Sequence, residues 1–181
     1  GAVVNRVIKV EDKYSTVFSV IDFNKYIGLL SAGNWQQPFL LDEVAKEIFF
    51  MEDSILFLEG QEDVGLLKQE ESLNDINIFG YGVRGKDNFK FALSLAKDLG
   101  YKKVSCILDF GAEETAIKDT LIADFPEYKI IQWNKNDIRD KESKTSVEKS
   151  GYFDKKGDKK STEYLDDYNQ KIEEIKNYLT P

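Results

Sequence analysis

Two carboxylates stand directly where short apolar runs end. Glu59 follows Ile55-Leu56-Phe57-Leu58, and Asp109 follows Val104-Ser105-Cys106-Ile107-Leu108. A third, Asp63, comes four residues after Glu59, and Gly60 between them allows the backbone a sharp turn. If the two apolar runs are neighbouring parallel strands, all three carboxylates gather beyond the strands' carboxyl ends, where open α/β sheets collect their ligands. Like charges so gathered repel one another unless cations are shared among them. Hard oxygen donors of this kind suit Mg²⁺ or Mn²⁺. Each acid also has an ordinary role open to it. Asp63 suits a helix N-terminus, Glu59 suits an exposed strand end, and Asp109 with Gly111 suits a turn.

The chain contains no histidine, which removes Ser-His-Asp catalysis, a histidine base and His-ligated zinc. Its one cysteine, Cys106, lies in an apolar run and reads as a buried strand residue, not a reactive thiol. Chemistry is therefore left to carboxylates, lysines, hydroxyls or metal. The formal charge of −8 opposes non-specific attraction to nucleic acid, but it is unevenly placed. Lys129 to Lys160 holds ten Lys+Arg against six Asp+Glu, a local +4, leaving 15 against 27, or −12, elsewhere. Within that basic segment Lys155, Lys156, Lys159 and Lys160 are candidates to meet phosphate or stabilise transition-state charge, although a solvated lysine-rich loop is the plain alternative.

Gly80-Tyr81-Gly82-Val83-Arg84-Gly85 matches G-x-G-x-x-G, and Asp109 lies 24 residues beyond its last glycine, as in a dinucleotide-binding fingerprint. Asp87 or Asn88 looks like the cap of the following helix, however, so that helix begins after the glycines and not within them. A flexible loop beside the acidic edge, offering Arg84 and Lys86 to phosphates, is the better reading.

Positioning these residues needs a parallel sheet covered by helices. The N-terminal pattern, Val3 to Val10 and Ser15 to Ile21 around Glu11-Asp12-Lys13, predicts a β-hairpin, and a short helix is predicted from Asp42 to Phe50. Four strands then follow, Ile55–Leu58, Ile76–Phe79, Val104–Leu108 and Lys129–Trp133. Helical spacing marks Val64, Leu66 and Leu67, then Phe89 to Leu99 ended by Gly100, then Ile117, Leu121 and Phe125. From Asn134 to about Ser161 the chain reads as a long polar loop or arm, and Leu165 to Leu179 as an amphipathic helix. The division is 1–50 hairpin and linker helix, 51–134 α/β core, 135–181 lysine-rich arm and last helix. No apolar run approaches the roughly 20 residues of a membrane span and no signal peptide is legible, so a cytoplasmic chain without a membrane partner is expected.

Glu59-Gly60-Gln61-Glu62-Asp63 after an apolar strand, with Asp109 ending a later one, resembles the two signature motifs of TOPRIM domains over about Ile55 to Trp133. That fold is shared by topoisomerases, primases, recombination mediators and OLD-family ATPase-nucleases. The helix leading into the Glu59 strand resembles the junction at which OLD-family proteins pass from an ATPase into TOPRIM. The resemblance implies a divalent-metal-dependent nuclease domain, with Glu59 in acid-base chemistry or metal binding and Asp63 and Asp109 on metal. Its implied partners are nucleic acid, DNA in first place, and a fused upstream ATPase of which residues 1–50 are the tail. The family's second motif is Asp-x-Asp, whereas this chain has Asp109-Phe110-Gly111, and Glu113 or Glu114 is placed to substitute. The same departure suits an alternative, a non-catalytic TOPRIM module kept for homodimerisation or docking.

Overall fold

The computed structural model describes residues 4–10, 14–20, 23–26, 48, 53–80, 82–142, 148–161 and 165–180. The expected helix at 42–50 falls outside these, apart from Ile48, which is fully buried.

The centre is a parallel sheet of β3 (Ser54–Leu58), β4 (Lys103–Leu108) and β5 (Lys129–Gln132), in that spatial order. Alternation along the strands feeds two cores. Ile55, Phe57, Val104, Cys106 and Leu108 point into one, and Leu56, Leu58, Ile107 and Ile131 into the other. Such two-faced burial is what a parallel sheet covered on both sides requires, and it explains why these strands are continuous apolar runs. The segment predicted as a fourth strand, Ile76–Phe79, lies along the outer side of β3 but touches it through one parallel bridge, Leu56 to Ile78. Two backbone hydrogen bonds hold it, from Leu56 N–H to Asn77 C=O (2.8 Å) and from Phe79 N–H to Leu56 C=O (2.9 Å).

Helix α1 (Gln61–Leu67) turns off β3 and packs Val64, Leu66 and Leu67 into the second core. Helix α2 (Phe89–Asp98) covers the other face with Phe89, Ala92, Leu93, Leu95 and Ala96, all buried. Helix α3 (Ala112–Asp124) links β4 to β5 and buries only Leu121 fully. The C-terminal helix α4 (Asp166–Leu179) lays Tyr168, Ile172, Ile175 and Leu179 on the α1 side of the sheet. No helix among the described residues is long and apolar enough to cross a membrane.

The hairpin β1 (Val4–Val10) with β2 (Tyr14–Val20) forms in register, Val4 opposite Val20 and Val10 opposite Tyr14. Arg6, 3% exposed, anchors it to the α/β core. Its guanidinium donates to Leu99 C=O (3.0 Å), approaches Asp53 (3.5 Å) and stacks 4.2 Å above the Tyr101 ring. Gly100, with φ +74°, lies under the Phe18 ring, where a Cβ would come within 2.3 Å of ring carbon.

The arm expected to be a polar loop is better anchored than its composition suggests. Ile138, Tyr152 and Phe153 are buried, and Trp133, Tyr152 and Tyr168 meet with ring centroids 5.2–5.4 Å apart. Two short strands, β6 (Lys141–Glu142) and β7 (Glu148–Lys149), pair antiparallel. Three separated aromatic or aliphatic anchors have no period to read, yet each fills the second core.

Candidate functional site

Parallel pairing sets Leu58 opposite Ile107, so Glu59 and Asp109 leave adjacent strands at the same edge of the sheet. Asp63, in the first turn of α1, folds back and accepts the Gly60 N–H at 2.8 Å. Its carboxyl is pushed from its ordinary 3.8 up to about 6, first by burial and then by the neighbouring charges of Glu59 and Asp137, with the Gly60 bond and Lys141 acting against them. Glu59, Asp63 and Asp137 therefore share one electrostatic neighbourhood.

The glycine run shapes this edge from the backbone. Val83 N–H donates to Leu58 C=O (2.7 Å) and Gly85 N–H to Glu59 C=O (3.1 Å), so the loop extends the sheet past the end of β3. Gly82, at φ +83°, lies so close to Gly60 that an added Cβ would stand 2.8 Å from its N, C and O atoms. The helix starts only after a 3₁₀ turn at Lys86–Asn88, outside the glycines. The motif thus buries backbone on backbone beside Glu59, which supplies a structural reason for its glycines without a pyrophosphate.

Lys86 is not held out to solvent. It bridges Glu113 (2.5 Å) and Glu114 (2.8 Å), which raise its proton affinity by direct hydrogen bonds. Glu114 curls over Gly111, where a Cβ would meet its Oε2 at 2.0 Å. Gly111 itself is extended, a conformation open to any residue. Glu114 thus occupies the space into which a side chain at position 111 would project. Behind it, Gln132 Nε2 donates to Asp109 C=O (3.0 Å) and Thr115 Oγ1 (3.1 Å), and the Thr115 hydroxyl donates to Gly111 C=O (2.7 Å).

Residues the sequence did not single out complete the edge. Asp137, its side chain 2% exposed, pairs with Lys141 at 2.6 Å. Lys141 also reaches Glu62 (3.1 Å), and Arg139 pairs with the same Glu62. The candidate phosphate-binding lysines are largely engaged within the chain: Lys155 with Glu142 (2.5 Å), Lys159 with Glu70 (2.6 Å) and Lys160 with Asp140 (2.7 Å). Lys156 is exposed. Arg84 is held in the loop at φ +65° with one guanidinium nitrogen withdrawn from solvent.

The donors at this edge are carboxylate oxygens, the chemistry a hard divalent cation takes. Arg139 and Lys141 meet Glu62, and Lys141 also meets Asp137. Among the described residues no three Asp, Glu or Cys side chains stand close enough together to hold a metal ion. Comparison with protein-family models, with curated proteins and with solved structures finds no match.

Proposed function

We propose that this chain is a TOPRIM-type, divalent-metal-dependent nuclease domain that works within a larger ATPase-nuclease. The observation carrying the reading is the parallel pairing from which Glu59 and Asp109 leave adjacent strands at one edge, with Asp63 in the first turn of α1. Glu59, Asp63 and Asp109 would hold Mg²⁺ or Mn²⁺, and the metal when bound supplies Lewis-acid activation of water and stabilisation of the leaving oxygen. Glu59 would serve in acid-base work from the strand end. Gly60 N–H fixes the Asp63 carboxyl, and the Gln132–Thr115 pair fixes the backbone that carries Asp109.

Titration of the chain with Mn²⁺ by calorimetry tests the reading. Binding is expected in the parent and is expected to weaken about tenfold or more in Glu59→Ala while circular dichroism stays unchanged, because a strand-end side chain contributes little to the core. Binding that ignores this substitution removes Glu59 from the site. Since the acidic body opposes DNA and three of the four candidate lysines of the arm are already paired, the isolated chain should bind DNA weakly and with strong salt dependence.

The Gly111 departure yields a second test. With Glu114 already in the space beside Gly111, Gly111→Asp alone is expected to change Mn²⁺ affinity by less than about threefold, since two carboxylates there repel each other. Combined with Glu114→Ala, the same aspartate should restore what Glu114→Ala loses. Equal loss in the single alanine variant and the double variant would exclude position 111 from the site.

A specific observation favours a second reading, a non-catalytic module used for dimerisation or docking. Glu62, Asp137, Glu113 and Glu114 are all partnered by the chain's own cations. Absence of any Mn²⁺ response would make this second reading the conclusion.

A further inference from the structure

Among the described residues the large apolar side chains exposed to solvent are Val7, Val17, Phe91, Phe110 and Ile122. The two valines face each other across the hairpin, and Phe91 and Ile122 lie within α2 and α3. Phe110 differs in its place. It is 54% exposed and stands just beyond β4, at the edge where Glu59 also leaves the sheet. Isolated apolar residues on a surface need no explanation, but this edge is where open α/β sheets collect ligands. The backbone presenting the ring is hydrogen-bonded at three successive residues. Asp109 C=O accepts from Gln132 Nε2 (3.0 Å), Phe110 N–H donates to Lys135 C=O (3.0 Å), and Gly111 C=O accepts from Thr115 N–H (2.9 Å). A ring carried on fixed backbone loses little freedom on meeting a ligand. The bond to Lys135 also brings in a cationic residue. Lys86, Lys155, Lys159 and Lys160 are each held by carboxylates of the chain, whereas the Lys135 ammonium meets none among the described residues.

We propose that Phe110 and Lys135 bind an unpaired nucleotide, the base stacked on the ring and an adjoining phosphate on the ammonium. The proposal rests on the nuclease reading above and deepens it by naming single-stranded nucleic acid as the substrate class. Every base has a π face, so stacking on an aromatic ring tolerates any sequence. In a duplex those faces are already stacked on one another, and the ring therefore selects strands that are unpaired. Asp109 and the exposed Glu113 oppose a phosphate backbone at this edge, which leaves the ring to supply most of the affinity.

Fluorescence anisotropy tests this with a short labelled oligothymidylate and a duplex of the same length, at low salt and in chelator so that metal plays no part. The parent should prefer the single strand. Phe110→Ala should weaken that binding about tenfold, and Phe110→Leu by a similar factor, since leucine keeps apolar area without a π face. Phe110→Trp should hold or strengthen it. Lys135→Gln should lower the slope of log affinity against log salt by about 0.7, the loss of one phosphate contact on a single strand. Position 110 is exposed, so circular dichroism should be unchanged in its variants. Equal binding by the parent and Phe110→Ala overturns the stacking site while a nucleic-acid-binding domain stands. Full binding by Phe110→Leu also overturns it, because an apolar contact is then enough. A parent that binds neither strand nor duplex overturns it too, and Mn²⁺ titration decides the metal reading separately. Stacking-dependent binding in a chain that takes no Mn²⁺ keeps this site and removes the nuclease.

Discussion

Asp63→Asn should make the metal-free chain more stable at pH 7 by on the order of 2–3 kcal/mol while removing its Mn²⁺ binding. The carboxyl titrates near 6 in the folded chain against 3.8 ordinarily, so folding raises its proton affinity. An acid raised in this way has no effect on stability below about pH 3.8, where it is protonated folded or unfolded. Between about 3.8 and 6 the unfolded chain loses the proton first, so stability falls as pH rises, and the full cost applies above 6. A shift of about two pKa units corresponds to about 3 kcal/mol, an upper limit because the side chain is only partly buried. Asparagine removes the charge and keeps an oxygen for the Gly60 N–H, so that helix-capping contact survives. Urea unfolding in chelator at several pH values should therefore show a gain at pH 7 that fades as pH falls to 4. A gain independent of pH, or none at pH 7, would show that the carboxyl is not strained by its surroundings. Stability gained where ligand binding is lost is the expected trade at a site that gathers charge for function.

The strands were legible because a parallel sheet buried on both faces must be written as unbroken apolar runs, and Ile55–Leu58 and Val104–Leu108 are such runs. Helix α2 was legible from its period, and its start after Asn88 from the polar residues before it. Ile76–Phe79 was less so: apolar spacing shows that a segment is extended, but how long its ladder runs depends on the turn beyond it, here the glycine loop at 80–85. The anchoring of the arm was less legible for another reason. Ile138, Tyr152 and Phe153 are isolated in polar sequence, and their burial comes from Trp133 and Tyr168, which no local window contains.

The site divides along the same line. Glu59 and Asp109 could be assigned to strand ends because these are local features, and the parallel pairing of Leu58 with Ile107 puts both at the carboxyl end of the sheet. Asp137, Arg139 and Lys141 could not, because their meeting with Glu62 and Asp63 depends on where the chain returns after β5. Asp137 and Lys141 sit four apart in a segment without a helical pattern, so their spacing alone carried no message. The lysines at 155, 159 and 160 were legible as a basic cluster, but composition does not reveal that Glu142, Glu70 and Asp140 already hold them.

Gly82→Ala is expected to destabilise the chain by about 2–5 kcal/mol, from overpacking of about 1–3 kcal/mol and left-handed backbone strain of about 1–2 kcal/mol. The Cβ would be driven to 2.8 Å from three backbone atoms of Gly60, and φ is +83°. Backbone cannot rotate aside as a flexible side chain does. Relief requires the loop to lift, breaking the Val83–Leu58 and Gly85–Glu59 hydrogen bonds and releasing the turn that carries Glu59. Gly60→Ala supplies the matched control. Gly60 has φ −133°, and a Cβ there meets only Asp63 Oδ2 at 3.6 Å, an ordinary contact. Gly60→Ala should therefore stay within about 1 kcal/mol of the parent. If the glycines served a dinucleotide instead, Gly82→Ala would fold normally and lose only ligand binding. Thermal unfolding of the two variants, with no ligand present, separates the two meanings of the same six residues: comparable stability at positions 60 and 82 would mean that backbone contact is not what those glycines provide.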